Sequence, residues 1–273
     1  MKITTWNVNS VRTRLDHVTG WLAENSVEVL CLQETKVVDA DFPRSPFEAL
    51  GYIPYVFGQK SYNGVALIAK TPLSEVQMGF TPVFAHAGLE TNAAELLDQQ
   101  KRVITGVAES GVRVVNLYVP NGNAIGSEKY AYKLHWFEVL YRYIKALLRR
   151  SPQGIVLCGD FNIALEDRDI HDPQGRQTHI MSSDAEREAL RTLLALGFAD
   201  AFRKFTTEAG HFSWWDYRAA SFRRNRGWRI DHHYVTAELY EQAIACTIDC
   251  GPRQLEKPSD HTPVTLELAC VGG

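Results

Sequence analysis

The most informative stretch of this chain reads LCGDFN, residues 157–162, an apolar run that ends abruptly in polar side chains. Side chains two positions apart in a strand face the same side, so Asp160 and Asn162 are expected to present polar groups to one cleft. The stretch TWNVN, residues 5–9, ends in the same way with two asparagines. Two strands that finish alike indicate one shared edge where polar groups gather.

Two further apolar runs carry acidic or basic side chains at their ends. One run finishes at Glu34, and another begins just after the pair Asp260 and His261. Each residue alone is explained by a turn or a solvated surface group. The set of four strand ends is harder to explain in that way, because loops at strand ends are where function usually resides.

Hydrophobic periodicity predicts three helices, at 11–24, 130–149 and 184–196. Ser183 and Glu186 give the third helix a capping-box pattern at its start. The segment 79–102 has no clear periodicity.

Short apolar or β-branched runs predict eight strands, and strands are therefore expected to outnumber helices by more than two to one. Strict alternation of strands and helices is absent, which argues against a doubly wound parallel sheet. We predict an α/β (α+β) fold with two packed, mostly antiparallel sheets flanked by helices. The predicted strands lie at 2–8, 27–32, 65–69, 103–108, 112–119, 155–158, 230–235 and 262–268.

Composition fits a globular protein, with 45% hydrophobic and 22% charged residues in a chain of 273. No linker or repeat divides the chain, so one domain is expected over 1–273. No stretch of about 18 apolar residues is present to span a bilayer. The chain begins directly in a strand pattern without a signal peptide, which predicts a cytoplasmic protein. We also expect a monomer.

Five cysteines, an odd number, predict no disulfide framework: Cys31, Cys158, Cys246, Cys250 and Cys270.

The formal net charge of −3 argues against a protein that coats nucleic acid through bulk electrostatics. A local basic surface is still present in the sequence. Residues 218–229 contain five arginines and no acidic residue, interleaved with Phe222 and Trp228. This stretch is the best nucleic-acid footprint in the chain.

Several enzyme classes are excluded by the motifs that the sequence lacks. There is no phosphate-binding P-loop, dinucleotide fingerprint, serine-hydrolase elbow or zinc-protease motif. The strand-end set instead combines amides, which donate hydrogen bonds to phosphate oxygens, with carboxylates, which hold a hard divalent cation. This combination favours an enzyme that cleaves phosphate esters.

Seven blocks, in this order, resemble those of the exonuclease III family of exonucleases and abasic-site endonucleases. The resemblance runs from residue 2 to about residue 268, and it implies a pancreatic-deoxyribonuclease-like four-layer sandwich. It also implies hydrolysis of DNA phosphodiesters with Mg²⁺ or Mn²⁺. The blocks are TWNVNS (5–10), LQETK (32–36), NGVA (63–66), NLYVPNG (116–122), GDFN (159–162), NRGWRID (225–231) and SDHTP (259–263).

The resemblance assigns a role to each strand-end residue. Glu34 would be the main metal ligand, with Asn9 and Asp260 near the same ion. Asp160 would orient or deprotonate the attacking water, and His261, held by Asp231, would stabilise the phosphoryl oxygen. The residues implied to contact the scissile phosphate are Asn7, Tyr118 and Asn162, and Tyr118 would also assist the leaving oxygen. Those implied to bind DNA are Asn121, Trp215, Arg218, Arg223, Arg224 and Trp228, with the two tryptophans as walls of a pocket.

The implied substrate is double-stranded DNA with abasic sites or with blocked or recessed 3′ ends. One departure from the family is His171, whose bulk would narrow the pocket and weaken internal cleavage at abasic sites while leaving 3′-end processing intact; a simple turn at Asp172 and Pro173 also explains this segment. The alternatives are a related phosphohydrolase acting on RNA, inositol phosphates or sphingomyelin, and a non-catalytic nucleic-acid-binding protein. The block NRGWRID favours DNA, and the filled catalytic positions favour an enzyme.

Overall fold

A computed structural model describes residues 1–269, so Cys270 lies outside the described part of the chain. The described residues form twelve strands and eight α-helices. The strands are β1 Lys2–Asn7, β2 Val29–Gln33, β3 Ile53–Phe57, β4 Val65–Ala69, β5 Ser74–Met78, β6 Val103–Val107, β7 Arg113–Tyr118, β8 Ile155–Asp160, β9 Phe198–Asp200, β10 Asp231–Thr236, β11 Ala243–Ile248 and β12 Val264–Leu268. The helices are α1 Leu15–Glu24, α2 Arg44–Ala49, α3 Thr81–His86, α4 Asn92–Asp98, α5 Glu128–Leu148, α6 Asp184–Leu194, α7 Ala201–Phe205 and α8 Ala237–Gln242.

All eight predicted strands and all three predicted helices are present, and the Ser183–Glu186 capping box is formed at the start of α6. Strands outnumber helices, but the predicted ratio of more than two to one was wrong, because five further helices of five to seven residues are present. Helices this short contain fewer than two full turns, so they show no clear period of 3.6 in the sequence. Two of them, α3 and α4, lie in the segment 79–102 that showed no periodicity.

The strands form two sheets, as predicted, and each sheet has six strands. The first has the order β11-β12-β1-β2-β4-β3 and the second β5-β6-β7-β8-β10-β9. Each sheet has one parallel pair near its centre, β1 with β2 and β7 with β8, and the other pairings are antiparallel. The mostly antiparallel prediction is therefore confirmed.

The sheets pack face to face and helices cover their outer faces, which gives the four predicted layers. The inter-sheet core contains Ile3 and Cys31 from the first sheet and Val156 and Cys158 from the second. Helices α1 and α2 pack on the first sheet, and α3 to α6 pack on the second. Cys31 and Cys158 are free thiols with sulfurs 3.5 Å apart. Within residues 1–269, no helix combines the length and apolar character needed to cross a membrane.

This topology brings the polar strand ends to one edge of the sandwich. Parallel neighbours end at the same side of a sheet, so Asn7 lies beside the start of the Glu34 turn, and Tyr118 lies beside Asp160. The antiparallel strand β10 begins at this edge, where Asp231 pairs with Asp160 in register. The period-two alternation of strands aims these side chains into the space between the sheets.

Candidate active site

Asn7 connects the two sheets at this edge. It is fully buried at the end of β1, and its side-chain nitrogen donates to Glu34 Oε1 at 3.0 Å and to Asp160 Oδ2 at 2.9 Å. Its side-chain oxygen accepts the backbone N–H of Asn9 at 3.0 Å. Both amide hydrogens are therefore used within the site, and Asn7 bridges two carboxylates instead of offering a free donor to phosphate.

Glu34 lies just beyond β2 in a left-handed backbone conformation, with φ of 51°. Non-glycine residues adopt this region rarely, and such outliers cluster at functional sites. The Lys36 ammonium contacts Glu34 Oε2 at 2.7 Å and Asn9 Oδ1 at 2.6 Å. Burial raises the pKa of Glu34, but the charge of Lys36 and the hydrogen bond from Asn7 together outweigh this effect. The pKa therefore lies below its ordinary value, and the carboxylate stays ionised.

These contacts test whether the site fits a metal ion. The oxygens of Glu34 and Asn9 already converge on one cation, the Lys36 ammonium. Asp260 lies next to Asn9, because its Oδ1 accepts a hydrogen bond from the Asn9 side-chain nitrogen at 3.1 Å. Carboxylate and amide oxygens are the ligands preferred by hard divalent cations, so the donor set fits such an ion.

A second acidic and basic group lies beside it. Ligand atoms of Asp160, Asp231 and His261 fall within 4.8 Å of one another, and all three residues are buried. His261 Nδ1 is hydrogen-bonded to Asp231 Oδ2 at 2.8 Å, and Ser213 Oγ donates to the same oxygen at 2.7 Å. His261 Nδ1 and Asp231 Oδ2 are thus hydrogen-bonded to each other, as expected for a pair in which the aspartate stabilises a charged imidazole.

The electrostatics of this group favour a protonated imidazole. Burial alone would lower the pKa of His261, but Asp231 and Asp160 raise it to about 10. Burial raises the pKa of Asp160 to about 7, although His261 opposes the shift. His261 Nε2 lies 3.7 Å from Asp160 Oδ2, too far for a hydrogen bond, so this N–H is available to a substrate oxygen.

The GDFN block forms the turn after β8. Gly159 lies against Leu117, whose carbonyl oxygen would be 1.9 Å from a Cβ at position 159, so only glycine fits there. Asn162 follows in a left-handed conformation with φ of 49°. Its side chain donates to the Val119 carbonyl at 3.0 Å and accepts from Asn121 at 3.1 Å.

Tyr118 is the last residue of β7 and lies beside Glu34 and Asp160. Burial and the negative charge of Glu34 raise the pKa of its hydroxyl well above the ordinary value, so the group remains a hydrogen-bond donor. The Arg102 guanidinium lies 4.6 Å over the tyrosine ring and donates to the Tyr118 carbonyl at 3.2 Å. Tyr118 and Asn121 also line a cavity of about 720 Å³ on this side of the site.

The predicted DNA-binding stretch divides into exposed and buried residues. Arg223 and Arg224 are exposed, and Arg218 is exposed and paired with Asp216 at 2.9 Å. Arg229 had been counted in this basic surface, but it is buried and bound to Asp169 and Asp200 at 2.7 Å each. It therefore belongs to the structural interior and not to the surface.

The two predicted pocket tryptophans differ in their surroundings. Trp215 is 1% exposed and packs at 5.0 Å against the Phe222 ring, so it offers no open wall in this structure. Trp228 is 7% exposed, with the Arg176 guanidinium 5.7 Å over its ring. It packs in one cluster with Met181, whose sulfur lies 3.5 Å from the Asn121 side-chain nitrogen.

Several residues near the site were not assigned a role from the sequence, and four of them contact predicted site residues closely. Lys36 stands inside the LQETK block and was the easiest to find, because it lies two residues after Glu34. The other three carry no sequence signal, because their partners are distant in the chain. They are Ser213, Met181 and the buried Lys133.

Comparison with known proteins agrees with this geometry. Residues 4–261 match the model of the endonuclease/exonuclease/phosphatase family. The exodeoxyribonuclease of Bacillus subtilis (strain 168) is 36% identical, over 97% of this chain and 98% of the relative. The structure of the 3′ phosphatase NExo from Neisseria, bound to a product DNA hairpin, matches with a TM-score of 0.90 and 39% identity, over 98% of this chain and 99% of that chain. An AP endonuclease from Archaeoglobus fulgidus matches with a TM-score of 0.89 and 38% identity, over 98% of this chain and 99% of that chain. The chain therefore belongs to the exonuclease III family, within the endonuclease/exonuclease/phosphatase superfamily.

Proposed function

We propose that this protein is a metal-dependent DNA phosphodiesterase of base-excision repair, which removes nucleotides or blocking groups from 3′ ends and incises abasic sites. The observation that carries the proposal is the Asn7 side chain, which joins Glu34 to Asp160 beside the Asp231–His261 pair. Glu34, which would hold the cation, and Asp160, which would activate the water, are thus connected through the single side chain of Asn7.

The residues divide the chemistry between them. Glu34, with Asn9 and Asp260, would hold Mg²⁺ or Mn²⁺, which supplies charge stabilisation to the phosphate when bound. Asp160 accepts the proton of the attacking water, and the free Nε2–H of His261 stabilises the developing charge on a phosphoryl oxygen.

The neighbouring polar groups position the phosphate. Asn162 uses one amide hydrogen on Val119 and keeps the other for a phosphate oxygen. The Tyr118 hydroxyl, held neutral by its raised pKa, donates to the leaving oxygen. Asn7 donates to the carboxylates of Glu34 and Asp160. It could donate to a phosphate oxygen only by giving up one of these two hydrogen bonds.

DNA is the proposed substrate because the relatives point to it and the exposed arginines suit it. The relatives are named as an exodeoxyribonuclease, a 3′ phosphatase with bound DNA and an AP endonuclease. Exposed Arg223 and Arg224 would contact backbone phosphates, which positions DNA without reading its sequence.

We propose that 3′-end processing dominates over incision at internal abasic sites. His171 is exposed, and its backbone N–H donates to the Gly227 carbonyl at 3.1 Å, one residue before Trp228. In this proposal the His171 side chain would narrow the pocket for an extruded internal sugar and would still admit a frayed 3′ end.

A substrate panel tests the proposed function. The protein is incubated with Mg²⁺ and three end-labelled duplexes, which carry an abasic-site analogue, a 3′ phosphate or a recessed 3′ end. We expect cleavage of the 3′-phosphate and recessed-end duplexes to exceed incision at the abasic site. An RNA of the same sequence and an inositol phosphate serve as comparison substrates, and faster hydrolysis of either would overturn the proposal.

A further inference from the structure

A buried ion pair lies directly beneath the two active-site asparagines. Lys133, on α5, and Glu186, on α6, are both 0% exposed, and Lys133 Nζ lies 2.5 Å from Glu186 Oε1. An uncompensated buried charge is costly, so a buried pair needs a close partner and further hydrogen bonds. Neither residue touches the reacting groups described above.

The remaining hydrogen bonds of Lys133 go to the backbone of the site. Its ammonium donates to the Asn162 carbonyl at 2.8 Å and to the Asn121 carbonyl at 3.2 Å. With Glu186 these account for all three N–H groups of the ammonium. Lys133 therefore ties together the turn after β8 and the loop after β7, which carry Asn162 and Asn121.

Glu186 extends the same connection to a third segment. Its Oε1 also accepts the Met181 backbone N–H at 3.1 Å, and its Oε2 accepts the Ser183 N–H at 3.1 Å. Met181 lies against Asn121 and packs with Trp228, so this segment borders the pocket. One ion pair thus holds three backbone segments around the site.

The loop geometry depends on this support. Asn162 has φ of 49°, a conformation that costs free energy and persists only where the surroundings fix it. At Gly122, with φ of 92°, a Cβ would lie 3.1 Å from Lys133 Cδ, so the lysine stem packs directly under the second loop. Within residues 1–269, no other lysine or arginine donates a hydrogen bond to the Asn121 or Asn162 carbonyl group.

We propose that Lys133 and Glu186 are positioning residues, whose buried ion pair fixes the backbone of Asn121 and Asn162 so that their amides face the scissile phosphate. The inference rests on the proposed function, because the phosphate is its target. Displacements of about 1 Å from changes remote from the chemistry can cost about 10²-fold in rate. We therefore expect the pair to control turnover more than substrate binding.

The test compares Lys133→Met, Lys133→Arg and Glu186→Gln with a matched control, Arg113→Met. Arg113 is also buried and ion-paired, to Glu75, but lies at the opposite end of β7 from Tyr118. All variants are assayed on the 3′-phosphate duplex at a temperature where circular dichroism shows them folded. We expect Lys133→Met to lower kcat by about 10²-fold with KM within a few-fold, Glu186→Gln to lower kcat by a smaller factor, and Lys133→Arg to recover at least part of the loss. Arg113→Met should keep the wild-type kcat.

Backbone hydrogen exchange supplies a readout that needs no substrate. Peptides covering residues 119–123 and 160–163 should exchange faster in Lys133→Met, but not in Arg113→Met, at equal global stability. If Lys133→Met does not fold, Glu186→Gln carries the same two measurements. Unchanged kcat and unchanged exchange in these peptides would overturn the proposal. A wild-type enzyme inactive on every DNA would overturn the proposed function instead, while the exchange result would still report whether the pair fixes the loops.

Discussion

The side-chain nitrogen of Asn7, at the end of β1, lies 2.9 Å from Asp160 Oδ2, at the end of β8. The two residues belong to different sheets, so this hydrogen bond joins the halves of the sandwich at the active site. The same nitrogen holds Glu34 at 3.0 Å. One side chain therefore sets the distance between the Glu34 carboxylate, the proposed metal ligand, and the Asp160 carboxylate, the proposed proton acceptor.

The first prediction concerns the metal. Glu34→Gln should lower turnover by about 10²-fold or more, because the charge stabilisation that a metal supplies is worth several kcal/mol. DNA affinity, measured by fluorescence anisotropy, should change much less. Glu109→Gln, which alters an exposed residue between β6 and β7, serves as the control. Undiminished cleavage by the wild type in excess chelator would refute metal dependence.

The second prediction concerns the exposed arginines. Arg223→Ala and Arg224→Ala should each weaken binding to all DNA sequences alike, and each should reduce the slope of log affinity against log salt by about one unit. The measurement is a salt titration of duplex binding. Arg149→Ala is the control, since Arg149 is exposed at the far end of α5. If both arginine variants kept the wild-type affinity and slope, the DNA surface would lie elsewhere.

The third prediction separates shape from charge. Trp228→Ala should change the preference among abasic, 3′-phosphate and recessed ends while leaving the salt slope nearly unchanged, because an indole contributes stacking and shape. Loss of this buried ring will cost roughly 3–5 kcal/mol of stability, so the rates are compared at a temperature where the variant is folded. Unaltered ratios among the three substrates would exclude Trp228 from the pocket.

A fourth prediction concerns the pH dependence of stability. Burial, and next to it the charge of Arg229, lower the pKa of His232 to about 4 from 6.5. The unfolded chain then binds more protons between these values, so stability is lost as the pH falls from about 6.5 towards 4. Between pH 7 and pH 5 the loss should be about 2 kcal/mol.

Urea unfolding of wild type and His232→Phe at pH 7 and pH 5 measures this effect. The phenylalanine variant keeps an aromatic ring near Phe161, whose ring lies 5.5 Å from that of His232, but it cannot titrate. Its free energy of unfolding should fall less with pH than that of the wild type, by about the same 2 kcal/mol. Equal losses in the two proteins would show that His232 contributes nothing to acid sensitivity.

Much of the site was predictable because strands carry a strong local signal. Polar residues at the ends of apolar runs indicated Asn7, Glu34 and Asp160 directly. The parallel pairing of β1 with β2 brings Asn7 beside Glu34, and the packing of the two sheets brings Asp160 to Asn7. The sequence could not show that Arg229 is buried while Arg223 is exposed, because the direction of each side chain depends on its partners in the folded protein. The partners of Arg229 are Asp169 and Asp200, 60 and 29 residues away.

The Lys133–Glu186 ion pair could not be predicted from the sequence for a related reason. Both residues lie on amphipathic helices, where a charged residue ordinarily indicates the solvated face. They are 53 residues apart, and only the packing of α5 against α6 brings them together. Tertiary packing, which no local pattern records, thus supplies the support under the predicted catalytic residues.

The most direct test of the account is single-turnover cleavage of the 3′-phosphate duplex by Asp160→Asn and His261→Ala. These variants remove the proposed proton acceptor and the charge stabiliser, and loss of an electrostatic stabiliser costs on the order of 10²–10³ in rate. We predict at least this loss for each variant, with DNA affinity close to that of the wild type. Rates within a few-fold of the wild type for both variants would contradict the assignment of this strand-end site as the catalytic centre.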